Sequence, residues 1–158
     1  MRVRILPPKA VEGPVRVSER IAGTPEAVRE ALARLLCALS SLGLDPEDGM
    51  EAELVLAEAM NNIVEHAYAG RSDGWIALQV DLLPGKLRCR LEDGGAPMPN
   101  LEPPEGAPRD VDVPLADLPE DGFGWFLIRE LTERLDYCRQ EDCNRLSFEL
   151  VRRRPDDT

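Results

Sequence analysis

Six residues stand out for what their types and spacing could do: Glu58 with Asn62, Asp93 with Gly95, and Gly122 with Gly124. Glu58 and Asn62 lie one helical turn apart in an amphipathic run, Leu54–Tyr68 (LVLAEAMNNIVEHAY), so a carboxylate and a side-chain amide point into the same space. An amide oxygen is a hard ligand suited to Mg²⁺, which takes few protein oxygens and completes its shell with water and phosphate. Asp93 ends an alternating strand pattern and is followed directly by Gly94 and Gly95. Gly122-Phe123-Gly124 opens a helical pattern. Glycines at such a start let backbone N–H groups approach a ligand, and the helix dipole adds partial positive charge; together these favour an anion. Each signal alone also fits a solvated helix face, a plain turn or a crowded helix start. Their order along the chain carries the weight.

The elements that must position these residues follow from periodicity. At 100° per residue, Leu56, Met60, Ile63 and Ala67 share one stripe with Ala52 and Ala59 beside it; Glu58, Asn61, Asn62 and Glu65 fall opposite, with no Lys or Arg among them. Asp45-Pro46-Glu47-Asp48 starts this helix with a capping acid and a proline at the first position, and Ala69-Gly70 ends it. Upstream, Pro14–Ala22 alternates as a strand, and Thr24-Pro25-Glu26 launches a helix carrying Val28, Leu32, Leu35, Leu36 and Leu39 that Gly43 closes. Downstream, Trp75–Leu83 alternates, Pro84-Gly85 turns, and Leu87, Cys89 and Leu91 alternate again in a hairpin running into Glu92–Gly95.

From Ala96 to Asp121 seven prolines rule out a long helix or inner strand. A loop of that length in one domain is expected to be functional or mobile, and its place between an acid and a phosphate-binding turn reads as a nucleotide lid. Within it, Val111–Leu118 is expected to dock briefly on the body. Trp125–Leu135 reads as an apolar helix, with Tyr137–Arg139 and Arg145–Val151 forming a closing hairpin around Gln140–Asn144. The order β-α-α-β-β-loop-α-β-β predicts a two-layer α/β (α+β) sandwich, its helices on one face of a mixed, mostly antiparallel sheet. Residues 1–13 read as a flexible lead-in, 14–153 as one domain with its lid at 96–121, and 154–158 as a tail.

Composition narrows the function. The chain has 158 residues and a net charge of −11, which argues against a nucleic-acid partner or an anionic membrane surface, because both demand clustered Lys and Arg. No apolar run approaches a membrane span, and the first residues lack the apolar core of a signal peptide. Cys37 and Cys89 fall in a helix and a strand pattern, Cys138 and Cys143 flank the last turn and could face each other, and the one histidine, His66, leaves zinc short of ligands. Reduced thiols make the cytoplasm the expected compartment.

The chain resembles the histidine-kinase-like ATPase superfamily (GHKL, or Bergerat fold) and, more narrowly, the bacterial anti-sigma-factor serine kinases. LAEAMNNIVEHAY resembles the N-box of that family, LEDGGAPM its D-x-G box, and DVPLADLPEDGFGWFLIRELTERLDY its lid end and glycine box, over roughly residues 15–151. The resemblance implies ATP and Mg²⁺ as cofactors. Asn62 would hold Mg²⁺ against the phosphates, Asp93 would accept from the adenine amino group, and Gly95 would leave room for the base. Gly122 and Gly124 would give backbone N–H groups to the phosphates, and Glu58 would be the general base toward a partner's serine. It implies an ATP-dependent serine/threonine protein kinase that phosphorylates an anti-sigma antagonist and regulates a sigma factor. An apolar first helix or an exposed sheet edge could serve a homodimer. The chain departs from the family's pattern at Glu120-Asp121, where many relatives carry a basic residue, and at Asn144-Arg145, where a Gly-Thr pair is usual. The first departure motivates an alternative: a catalytically silent, nucleotide-binding partner-switching module.

Overall fold

The first strand, β1 (Val15–Ala22), is an edge strand whose Ile21 turns inward while Arg16, Ser18 and Arg20 turn out. The computed structural model to which it belongs describes residues 15–106 and 120–153. The expected lead-in, the tail, and the part of the lid at 107–119, including Val111–Leu118, lie outside the described residues. Two helices follow. In α1 (Pro25–Ser41) the Thr24 hydroxyl accepts from Ala27 N–H at 3.2 Å, and in α2 (Pro46–Asn62) the Asp45 carboxylate accepts from Glu47 N–H at 2.9 Å. Each cap satisfies an N–H that the helix leaves unpaired, and each helix opens with the proline whose missing N–H does no harm there.

Strands β2 (Trp75–Leu83), β3 (Lys86–Asp93), β4 (Glu133–Gln140) and β5 (Cys143–Val151) complete a five-stranded sheet in the order β1-β2-β3-β5-β4. All four pairings are antiparallel, so the expected mostly antiparallel sheet is wholly so among the described residues. Ile76, Leu78 and Val80 of β2, Leu87, Cys89 and Leu91 of β3, and Leu146, Phe148 and Leu150 of β5 are buried from one face. Onto them pack Leu32, Leu35 and Leu39 of α1, Val55, Leu56 and Met60 of α2, and Ile128 of α3 (Glu120–Leu131). Burial of a side chain of this size contributes roughly 1.5–3 kcal/mol, so this one layer of contact holds the sandwich together. No helix among the described residues is long and apolar enough to cross a membrane.

Two helix boundaries and one cysteine pairing differ from expectation. The last helix runs Glu120–Leu131, not Trp125–Leu135, because the Thr132 hydroxyl turns back onto Ile128 O at 2.6 Å and Arg134 takes a positive φ of 54°; Leu135 therefore sits in β4. The long helix stops being α-helical at Asn62 and continues as a π turn, Ile63–Ala67, in which Tyr68 N–H reaches Ile63 O at 3.0 Å. In the last hairpin the register sets Cys138 opposite Arg145 and Cys143 opposite Gln140, so the two cysteines do not face each other, and all four cysteines are free.

Candidate functional site

The π turn is where the site begins. One extra residue in the turn shifts the helix frame and frees carbonyls, and such turns recur at functional sites. Here the Ala67 carbonyl is free to accept from Ala96 N–H at 2.8 Å, which ties the helix end to the chain leaving β3. That approach leaves no space for a side chain at Gly95: a Cβ there would lie 2.6 Å from the same carbonyl oxygen. Tyr68, 3% exposed, anchors the other side. Its hydroxyl accepts from Trp75 N–H at 3.1 Å and Gly94 N–H at 2.8 Å and donates to Trp75 O at 2.6 Å, joining the start of β2 to the end of β3.

Between these anchors opens a cavity of about 580 Å³. Asn62, His66 and Ala67 line it from the helix and its π turn, Asp93 from the end of β3, Met98 and Pro104 from the following loop, Trp125 from α3 and Asn144 from β5. Mostly apolar walls with a few convergent polar groups suit a small organic ligand with one flat apolar part. Of the polar helix residues, Asn61 and Glu65 are exposed, whereas Glu58 and Asn62 are half-buried and face α3.

Gly124 makes that facing possible. A Cβ at Gly124 would stand 2.5 Å from Glu58 Oε2 and 3.8 Å from Asn62 Nδ2. The two helices touch through a glycine, so carboxylate and amide both sit against the opening of α3. Because α3 begins at Glu120, earlier than expected, Gly122 falls in its first turn, where a helix presents N–H groups outward, and Gly124 is past it. What Gly124 leaves at this point is space. Asn62 Nδ2 is buried without a hydrogen-bond partner. An orphaned buried amide costs roughly 1–3 kcal/mol, so its end of the cavity is short of a polar ligand.

A family model described as the histidine kinase-like ATPase domain matches residues 21–150. The chain belongs to the histidine kinase-like ATPase family. Proteins named serine-protein kinase RsbW from Bacillus thuringiensis (strain Al Hakam) and Bacillus cereus (strain Q1) are each 30% identical to it over 127 residues, 78% of either chain. A crystal structure of the RsbU and RsbW domains of a Mycobacterium tuberculosis protein shares the fold, with a TM-score of 0.59 and 19% identity, covering 89% of this chain and 33% of that longer one. The two-layer Bergerat arrangement expected from the sequence is thus the fold of this ATPase domain.

Within the ATPase domain, two residues that sequence reasoning missed support the cavity: Asn144 lines it beside Asp93, and Tyr68 braces the strand ends next to it. Asp93 is 3% exposed, and its Oδ1 accepts from Gly95 N–H at 2.9 Å and from Asn144 Nδ2 at 2.8 Å. Burial raises the Asp93 carboxyl above its ordinary value, against the lowering influence of those two hydrogen bonds and of the Arg139 charge. Asn144, visible in the sequence only as a departure from Gly-Thr, is the acid's partner from β5. Tyr68 closes the first motif, and its type alone assigns it no role. The only signal for it is its place at the end of a helix ahead of a strand. Among the described residues no three His, Cys, Asp or Glu side chains group as a metal site. A cation here would therefore depend on the Asn62 amide and on oxygens brought by a ligand, and the orphaned amide fits that arrangement, since a half-turn presents its oxygen.

Proposed function

We propose that this chain binds ATP with Mg²⁺ in the described cavity and transfers the γ-phosphate to a serine or threonine hydroxyl of a protein partner. The observation that carries the reading is the Glu58–Asn62–Gly124 contact, which puts a free carboxylate and an orphaned amide against the first turns of α3, beside a cavity of about 580 Å³ that Asn62 lines. Asp93 accepts from the amino group of adenine, Gly95 gives the base room to approach, and the apolar walls around Trp125 and Met98 cover its faces. Gly122 and its neighbours in the first turn of α3 offer N–H groups to the phosphates. Asn62 holds the ion, which when bound neutralises charge on the phosphate oxygens. Glu58 takes the proton from the attacking hydroxyl, a contribution typically worth ~10²–10⁴-fold.

The partner class comes from the relatives named serine-protein kinase RsbW: we infer an anti-sigma antagonist as phosphoacceptor and a sigma factor as the protein held or released. The test is radiolabelled phosphate transfer from ATP to a cognate antagonist. Wild type is expected to label it, and Glu58→Gln to bind ATP comparably while losing at least ~10²-fold in rate. ATP binding without transfer by wild type would leave the silent binding module standing in place of the kinase. Undiminished transfer by Glu58→Gln would remove Glu58 from the role of base.

A further inference from the structure

At the closed end of the cavity the hydrogen bonds run in one direction. Met98 N–H donates to the Tyr137 hydroxyl at 3.0 Å, which donates to Asn144 Oδ1 at 2.5 Å. Arg139 Nη1 donates to the same Oδ1 at 3.0 Å and to Gly95 O at 2.5 Å. From its other end, Asn144 Nδ2 donates to Asp93 Oδ1 at 2.8 Å, to Ala96 O at 2.9 Å and to Gly95 O at 3.3 Å. A guanidinium only donates and a backbone carbonyl only accepts, so the amide has one orientation: oxygen toward Arg139, nitrogen toward Asp93. Asp93 Oδ1 thereby receives two donors, and a carboxyl proton has no place on that side.

We propose that Asn144, oriented by Arg139 and Tyr137, is the positioning residue that presents Asp93 to the cavity as an ionised acceptor and so makes the pocket select a purine bearing an exocyclic amino group. The inference rests on the reading of the cavity as a nucleotide site and adds what enforces its preference. Burial pushes the Asp93 carboxyl up, toward its protonated form, and a protonated acid would turn a donor toward the base. The Asn144 and Gly95 donors oppose that, with the Arg139 charge behind them. Of the other groups around Asp93, Tyr137 reaches it only through Asn144, and His66 lines the same cavity from the π turn. Asn144 therefore supplies a side chain where the family's Gly-Thr pattern has a glycine, and its reach is what lets β5 touch Asp93 and the first residues of the lid together.

The test is ATP affinity by calorimetry from pH 8 to pH 5 in wild type, Asn144→Leu and Arg139→Met. The titration of ATP itself is common to all three and cancels in the ratio of variant to wild-type Kd. Loss of the Asn144 donor raises the pKa of Asp93, so that ratio is expected to grow toward lower pH, by up to tenfold for every pH unit that separates the two titrations. Arg139→Met, half-buried on the edge strand β4, is expected to move the ratio in the same direction and less, and it stands in if Asn144→Leu does not fold. A ratio that stays constant across the range in the folded variants, however large, would overturn the proposal, because a merely structural defect weakens binding equally at every pH. Failure of wild type to bind ATP at all would overturn the nucleotide reading itself, and this proposal with it; binding by wild type with a flat ratio would overturn the proposal alone.

Discussion

Asp93→Asn separates the chemistry of the acid from its place in the fold. The amide oxygen of an asparagine can accept from Gly95 N–H and Asn144 Nδ2 as Asp93 Oδ1 does, so both internal bonds survive. What changes is the outward atom, from acceptor to donor. Toward adenine the variant loses a hydrogen bond to a charged group, about 1.5–3 kcal/mol, and leaves two donors facing each other, roughly another 1–3 kcal/mol. A mid-range total of about 4 kcal/mol corresponds to a loss approaching ~10³-fold in ATP affinity. Stability moves the other way. The folded carboxyl titrates above its unfolded value, so folding binds protons, the penalty of burying the charge is full at neutral pH, and it is lost as pH falls through the folded value. The variant escapes that penalty. Its thermal midpoint without ligand is expected to equal or exceed wild type at neutral pH, with the gap narrowing toward acid. Calorimetric titration with Mg-ATP, beside thermal melts at two pH values, measures both. A folded variant that binds ATP within about threefold of wild type would show that Asp93 does not read the base, since a base-reading acceptor is not lost at so small a cost.

Two other changes test separate parts of the site. Gly124→Ala replaces a glycine inside a helix, which by itself stabilises by roughly 0.5–1 kcal/mol, but the new methyl meets the mobile end of Glu58 and displaces it. The fold is expected to survive in melts while phosphate transfer falls by at least ~10-fold; unchanged transfer would mean that the Glu58–Gly124 contact is idle. Tyr68→Phe removes a hydroxyl that serves two N–H groups and one carbonyl between β2 and β3, and is expected to destabilise by roughly 2–4 kcal/mol in denaturant melts and to weaken ATP binding through the Gly94-Gly95 turn. A loss under about 0.5 kcal/mol would show that water replaces the hydroxyl there without difficulty.

The local period of the sequence settled most of the elements. Alternation named the inward residues of β2 and β3, and cap-plus-proline starts placed α1 and α2, because these patterns report interactions among near neighbours in the chain. The same patterns misjudged the last helix. The spacing of Leu127, Leu131 and Leu135 continues smoothly, yet the chain leaves the helix at Thr132 because Leu135 has a place waiting in a strand beside β5. The motif spacing also picked out Glu58 and Asn62 from a stripe of four polar residues, although nothing in the period distinguishes them from Asn61 and Glu65. Only the packing of α3 against that helix, through Gly124, leaves one pair facing inward and the other in water. Asn144 was legible as a departure and not as a partner, for it meets Asp93 across 51 residues of chain. The β3–β5 register, which pairs Asp93 with Asn144, is fixed by which faces of two distant strands are buried together. Sequence thus determined the layers and the residue types available to the site. Tertiary structure determined which of them meet, because hydrogen bonds and contacts between distant segments have no period along the chain to announce them.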